Sequence, residues 1–126
     1  MTGLTYDTGA FVAAERDDRL MWSLHRATLL RGINPTVPAG VLGECWRGGP
    51  QDRLSRMLKG CRIEPLTEAQ ARAVGVLAAR SGLDDTVDLA VAEGAVRRGD
   101  AVVTSNRSHI ERAADALDCA LVFYSV

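Results

Sequence analysis

The sequence predicts an α/β protein, a three-layer α/β/α sandwich around a mostly parallel central sheet of four to five strands. Short segments rich in β-branched and aromatic residues alternate with helical segments along the whole chain. Because parallel strands need helical crossovers, this alternation is typical of a parallel sheet covered by helices. The 126 residues, 47% of them hydrophobic, fit a single domain spanning residues 1–126.

The first half of the chain alternates between strand and helix signals. Asp17 or Asp18 can cap a helix that Gly32 ends, and Pro38 suits a first helical turn. Pro35 weakens the strand in which it lies. In chain order we predict a strand at 3–6, helices at 9–15 and from Asp17 or Asp18 to Gly32, a strand at 33–37, helices at 38–46 and 52–59, and a strand at 61–66.

The second half continues the same alternation. Thr67 with Gln70, and Ser108 with Glu111, have the spacing of capping boxes that open helices. Asp85 is placed to cap the helix between them. The predicted elements are a helix from Thr67 to about Arg80, a helix from Asp85 to the turn at Gly99–Asp100, a strand at 101–104, a helix opened by Ser108, and a strand at 120–124.

Composition and charge narrow the class of protein. No apolar run approaches the ~20 residues of a membrane-spanning helix, and the N-terminal segment lacks the basic region of a signal peptide. Three scattered cysteines suit a reducing compartment, so we expect a soluble cytoplasmic domain. Residues 16–62 carry nine basic and four acidic side chains, whereas residues 84–126 carry four and eight. Such a dipolar chain can present a basic rim to a phosphate backbone and keep acids for a metal.

Polar side chains stand where strands end or the following helices begin. Asp7 follows the first strand, Glu44 lies in the third helix, Asp85 and Asp88 open a later helix, and Asn106 follows the fourth strand. Ligands of open parallel sheets bind beyond the carboxyl ends of the strands. Carboxylates meeting there repel one another unless a divalent cation such as Mg²⁺ neutralises them. Each acid also has a plain structural interpretation, because Asp7 and Asp85 suit helix caps and Asp88 suits a first helical turn.

Four motifs in order resemble the PIN-domain ribonucleases, most closely the VapC toxins of bacterial toxin–antitoxin pairs. The quoted segments are Tyr6-Asp7-Thr8-Gly9-Ala10-Phe11, the Pro-containing segment 37–44 ending in Glu44, the alanine-rich segment 88–99 opened by Asp88, and Val102-Val103-Thr104-Ser105-Asn106. Asp85 matches an extra acid found in part of the family. The resemblance covers nearly the whole chain, and it rests on the order and spacing of the motifs together.

The resemblance implies metal-dependent hydrolysis of RNA phosphodiester bonds. By this likeness Asp7 and Asp88 would hold Mg²⁺ or Mn²⁺, and Glu44, with Asp85, would position or deprotonate the attacking water. Asn106 and Thr104 would orient the surrounding shell. The arginines that follow Glu44 are candidates for gripping the RNA backbone. These are Arg47, Arg53 and Arg56.

The chain departs from the family pattern at its fourth motif. Asn106 occupies the position of the usual fourth acid, and His109 stands where relatives often have another Asp. An amide oxygen can ligate a cation but brings no charge, so we expect one well-held ion rather than two. We expect His109 to be an ordinary surface histidine near a helix start, with a proton donor or a phosphate contact as the alternative.

The resemblance also implies partners. VapC toxins are held inactive by a small VapB-like antitoxin whose tail lies in the active-site groove, commonly with dimerisation of the toxin. Leu20, Leu24, Ala27 and Leu30 lie on one face of the second helix. Apolar helices around 20–30 and 41–58 fit such a groove and fit a protein core equally well.

Other functional classes fit the sequence less well. The alternative to a nuclease is a catalytically weakened PIN-like module that binds RNA or protein, with Asn106 as its first sign. A receiver domain would need a second acid beside Asp7 and a lysine after the last strand, whereas the only lysine is Lys59. No GxGxxG motif follows the first strand, and Asp7-Thr8-Gly9 lacks the second Asp of a DxD phosphatase.

Overall fold

The computed structural model describes residues 2–126, in which one or two helices separate each strand from the next. Among those residues, no helix combines the length and apolar character that a membrane span requires. The elements are β1 (Leu4–Tyr6), α1 (Thr8–Glu15), α2 (Arg19–Leu30), β2 (Thr36–Pro38), α3 (Ala39–Cys45), α4 (Asp52–Leu58), β3 (Arg62–Glu64), α5 (Glu68–Ser81), α6 (Thr86–Arg98), β4 (Ala101–Thr104), α7 (Arg107–Asp115) and β5 (Phe123–Ser125).

The five strands form one sheet in the order β3-β2-β1-β4-β5, and every neighbouring pair is parallel. The chain builds outward from β1 to β3 and then returns to place β4 on the other side of β1. The strand order therefore reverses between β1 and β4, and a crevice is expected outside their carboxyl ends. The sheet predicted from the sequence is confirmed, with five strands that are all parallel.

Helices cover both faces of the sheet, as the alternating side chains of β1 show. Tyr6 is fully buried, and its ring meets Phe11 of α1 edge-on at 5.9 Å. The neighbouring Thr5 points the opposite way, because successive strand residues face opposite sides. Its hydroxyl donates to Asp100 (2.8 Å) and accepts from Arg98 (2.9 Å) at the end of α6. The molecule thus has the three layers that the sequence predicts.

Arg98 closes a largely buried cluster of charges on the α6 face of the sheet. Its guanidinium donates to Glu64 Oε2 (2.6 Å) and to Asp100 Oδ2 (2.9 Å), and these side chains are only 14%, 13% and 8% exposed. Burial by itself would raise the pKa of Glu64, but hydrogen bonds from Arg97 and Arg98 outweigh it and lower that pKa. The cluster joins β3, β1 and the α6–β4 turn.

The second helix buries polar residues and exposes apolar ones. Its buried positions are Met21, His25 and Thr28, whereas Leu20 is 82% exposed and Leu30 is 78% exposed. Burying His25 and Thr28 is possible because both are bonded. The Tyr6 hydroxyl and His25 Nδ1 share a hydrogen bond of 2.8 Å, and the Thr28 hydroxyl donates to a backbone carbonyl. Burial lowers the pKa of His25. The core interpretation is therefore wrong for Leu20 and Leu30, whereas Leu24 packs against the core.

Several predicted boundaries move, mainly at the strands. The second strand is Thr36–Pro38 rather than 33–37, since Asn34 donates to the carbonyl of Gly60 in a loop. Pro38 consequently ends this strand and precedes α3 instead of lying in its first turn. The predicted strands at 61–66 and 120–124 are shortened or shifted to β3 and β5. Strand ends depend on pairing with neighbours, which the local sequence does not contain.

The predicted helix caps have mixed outcomes. Asp18, not Asp17, caps α2 by accepting from Met21 N at 2.8 Å. Thr67 caps α5 through Gln70 N as expected, but the Gln70 side chain donates to Glu64 instead of returning to Thr67. The second capping box is wrong. Ser108 lies inside α7, and Glu111 pairs with Arg107 at 3.2 Å.

Candidate functional site

A cavity of about 470 Å³ lies at the carboxyl ends of β1 and β4, where the strand order reverses. All five polar residues singled out in the sequence line it, although they come from four separate segments of the chain: Asp7, Glu44, Asp85, Asp88 and Asn106. The other lining residues are Thr8, Gly9, Val12, Ala13, Arg16, Ser105 and Val126. The topology therefore gathers the predicted set in one place.

Asp7 is the most firmly held acid of the cavity. It is 4% exposed, directly after β1. Its Oδ1 accepts from Thr8 N (2.8 Å), which caps α1, and its Oδ2 accepts the hydroxyl of Thr104 (2.7 Å). Each carboxylate oxygen has a second lone pair, so Asp7 can still meet a ligand. The capping interpretation and a role in the site are compatible.

Gly9 allows the first turn of α1 to lie against the end of β4. A Cβ atom at this position would stand 2.4 Å from Ser105 Oγ and 2.7 Å from Ser105 N. Backbone cannot move aside as a flexible side chain can, so a larger residue would push the two segments apart. The glycine thereby sets the spacing between Asp7 and the Ser105-Asn106 turn.

Asp85 and Asp88 stand at the start of α6. Asp85 caps the helix, its Oδ1 accepting from Asp88 N at 3.0 Å. Burial raises the pKa of Asp88, the negative charges of Asp85 and Asp7 raise it further, and His109 opposes the change. The ionised form of Asp88 is thus disfavoured without a nearby cation.

Asn106 turns its side chain toward Asp88 instead of capping α7. Its Nδ2 donates to Asp88 Oδ2 (3.3 Å) and lies 3.1 Å from His109 Nδ1, and no side-chain bond caps the helix. Its backbone N–H donates to Thr104 Oγ1 (2.9 Å). His109 is half-exposed, with Nδ1 3.4 Å from Asp88 Oδ2. His109 is a surface histidine near a helix start, as expected, and it also contacts Asp88.

Glu44 is exposed although its sequence neighbours are mostly apolar. The helix α3 turns Val41 and Cys45, four residues apart, into the core, and Glu44 faces away from them. It accepts the hydroxyl of Thr8 at 2.5 Å. This bond ties α3 to the turn that carries Asp7.

The donor set suits a hydrated hard cation. Across residues 2–126, no three His, Cys, Asp or Glu side chains lie close enough together to form a metal-ligand cluster. Mg²⁺ is commonly held by one or two carboxylates, and water fills its remaining positions. Asp7 and Asp88 both line the cavity, and the charge of Asp7 raises the pKa of Asp88. They fit that kind of site better than a closed cage.

The three arginines proposed from the sequence as RNA contacts do not line the cavity. Arg47 donates to the carbonyls of Gly43, Glu44 and Trp46 at the end of α3. Arg53 donates to the carbonyl of Glu15, and Arg56 stacks on Trp22 with 4.7 Å between its Cζ and the ring centroid. Their role in RNA binding stays a prediction.

Sequence reasoning did not single out Arg16, the one basic residue among those lining the cavity. The helical spacing of the residues around Arg16 could have indicated that it faces the cavity. Residues 9, 12, 13 and 16 recur at intervals of three and four, so they share one face of the helix that Asp7 opens.

Comparison with known proteins gives a structural match. No protein-family model matches the sequence, and no curated protein matches it significantly. The fold is similar to a chain in the crystal structure of VapBC2 from Rickettsia felis bound to a DNA fragment from their promoter. The TM-score is 0.74, the sequence identity is 16%, and 98% of each chain is covered. The predicted α/β fold is thereby confirmed.

Proposed function

We propose that this chain is a divalent-metal-dependent endoribonuclease of the VapC type, the toxin of a type II toxin–antitoxin pair. The observation that carries the proposal is the cavity at the carboxyl ends of β1 and β4, which four carboxylates and Asn106 line. A similar fold in a VapBC2 complex supports it. Such a concentration of like charge is costly, and a bound cation with a phosphate substrate would offset the cost.

Asp7 and Asp88 would hold Mg²⁺ or Mn²⁺ in this proposal. The ion would supply positive charge that offsets the charge developing on the phosphate. Thr104 fixes Asp7, and Asn106 fixes Asp88, so both carboxylates are oriented before any ligand arrives. Asn106 adds no charge of its own, which favours a single ion.

Glu44 and Asp85 would act on the water that attacks the phosphate. Both are exposed at the rim of the cavity, where their carboxylates can accept a proton from water. The bond from Thr8 restrains Glu44, whereas Asp85 is held by its capping bond to Asp88 N. Glu44 is therefore our candidate for the general base, and Asp85 would assist in positioning.

Divalent ions are expected to stabilise the folded protein. An acid whose pKa is raised on folding lowers stability when the pH rises above its unfolded value, and a bound cation removes this penalty. At a free ion concentration ~100 times the dissociation constant, ion binding adds about 2.7 kcal/mol to the free energy of unfolding. We expect thermal melts at pH 7.5 to show a higher Tm with Mn²⁺ or Mg²⁺, and no increase for Asp88→Asn. An equal increase in Tm for the parent protein and for Asp88→Asn would contradict ion binding at Asp88.

A cleavage assay separates the proposal from the alternative of a catalytically weakened PIN-like module. Purified protein is incubated with total RNA in Mg²⁺ or Mn²⁺, and a parallel sample contains EDTA. Cleavage that EDTA abolishes supports the nuclease. RNA binding without cleavage in either ion favours the binding module.

The partner surface we propose for the antitoxin is the leucine face of α2. Leu20 and Leu30 are largely exposed there, and the half-buried Leu24 lies between them. Large apolar side chains lined up along one exposed helix face favour a protein partner. The structurally similar chain comes from a complex named VapBC2, which supports a protein partner for this chain.

Replacing Leu20 and Leu30 together with serine is expected to weaken the complex with a co-expressed small antitoxin about tenfold or more, because burying each leucine contributes ~1.5–3 kcal/mol. Both side chains lie outside the core, so the Tm of the isolated chain should barely change. Titration calorimetry measures the affinity, with Val76→Ser on α5 as the exposed control. Unchanged affinity would place the partner elsewhere.

The expected homodimer stays a prediction, which light scattering tests.

A further inference from the structure

We infer that Arg16 is the residue that binds the RNA backbone beside the reacting phosphate. This inference rests on the proposed function and names a substrate contact that the sequence motifs do not contain. Arg16 is exposed and lines the same cavity as Asp7 and Glu44. Among the described lining residues it alone is basic.

The face of α1 forms one wall of a groove. Thr8, Gly9, Val12 and Ala13 line the cavity between Asp7, which caps the helix at its start, and Arg16, which follows its last turn. Eight helical residues span about 12 Å, so Arg16 lies one helix length from Asp7. A strand laid along this wall would place a neighbouring phosphate, rather than the scissile one, beside Arg16.

The negative charge of the cavity favours a cation on the wall formed by α1. Asp7, Glu44, Asp85 and Asp88 line the cavity and repel a polyanion, and a metal ion held by Asp7 and Asp88 would offset this repulsion only near those two side chains. A neighbouring phosphate of the RNA would need a positive partner of its own. A guanidinium is suited to it because it offers two parallel N–H donors to phosphate oxygens.

The arginines nearby are already engaged, whereas Arg16 is not. Arg47 caps the end of α3, and Arg53 is bound to Glu15 and lies 3.8 Å from Asp17. Within residues 2–126, the guanidinium of Arg16 has neither a carboxylate partner nor a side-chain hydrogen bond comparable to theirs. Binding a phosphate therefore requires no existing contact to break, and losing the side chain removes no structural bond.

The test measures binding of a short fluorescein-labelled single-stranded RNA by fluorescence anisotropy. The Asp7→Asn background is used with Mg²⁺ so that cleavage is slow compared with the binding measurement. We expect Arg16→Gln to weaken binding about fivefold to tenfold at 100 mM salt. The slope of log affinity against log salt should fall by about 0.7, the value for one phosphate contact on a single strand. Arg16→Lys should restore the slope but only part of the affinity, since lysine lacks the planar donor pair.

Arg31→Gln is the matched control, because Arg31 is exposed at the far end of α2, outside the cavity. If Arg16→Gln binds no worse than Arg31→Gln, or if the parent protein does not bind RNA, the inference is overturned. An Arg16-dependent affinity in a protein that never cleaves RNA would support this contact while removing the nuclease proposal. The two failures are therefore distinguishable.

Discussion

Replacing Asp7 with asparagine is expected to reduce RNA cleavage by about 100-fold or more while the protein stays folded. Asp7 is buried and lines the cavity, and the substitution removes the charge that would hold the ion. Asparagine caps helices as well as aspartate does, and its amide oxygen can still accept from Thr8 N or from Thr104. We expect the free energy of unfolding to change by less than about 1 kcal/mol.

The measurement combines cleavage of a labelled RNA with a urea unfolding curve of each variant. Asp52→Asn is the control, because Asp52 is an exposed acid in the first turn of α4 and lies outside the cavity. It removes the same charge and should cleave at the parent rate. Full activity of Asp7→Asn would sink the assignment, because the buried carboxylate would then have only a structural role.

Replacing Arg98 with methionine is expected to cost about 3 kcal/mol of stability, because breaking a buried ion pair leaves an uncompensated charge. Asp100, 8% exposed, bonds Arg98 at 2.9 Å and keeps only the Thr5 hydroxyl as partner afterwards. Glu64 retains Arg97. The expected result is a lower urea midpoint with an unchanged slope.

The matched control is Arg72→Met, which breaks the Arg72–Glu68 pair on the surface of α5. Those side chains are 78% and 81% exposed, so the loss should stay below about 0.5 kcal/mol. Adding Asp100→Asn to Arg98→Met should recover part of the lost stability, since it neutralises the orphaned carboxylate. Equal midpoints for the two single variants would show that the cluster contributes no more than a surface pair.

Motifs and helix caps could be predicted because their partners are close in the sequence. Asp85 accepts from the N–H three residues later, and Gly82 and Gly99 end their helices at positive φ. The Ser108–Glu111 pattern failed although it has the right spacing. The helix begins two residues earlier than a Ser108 cap would place it, after Asn106, whose amide bonds Asp88, 18 residues away. A local pattern is overridden when a distant group offers a partner.

The arginines predicted as RNA contacts also show that proximity in the sequence does not determine which side chains share a site. Arg47, Arg53 and Arg56 follow Glu44 closely in the sequence, yet their guanidiniums meet backbone carbonyls or Trp22. Arg16 comes 28 residues before Glu44 and still reaches the cavity, since α1 and α3 pack against each other. Which arginine faces the acids depends on helix packing, and the sequence interval does not reveal it.

The sequence by itself determined the alternating α/β architecture and the polar residues that follow its strands, because hydrophobic periodicity and turn chemistry are local. Only the tertiary structure decided the strand order, the outward face of α2 and the meeting of Asp7 with Asp88. These depend on contacts between residues far apart in the chain. His25 is buried in α2 because it forms a hydrogen bond with Tyr6 of β1. The pairing of β1 with β4 brings Thr104 within hydrogen-bond distance of Asp7, 97 positions earlier in the chain.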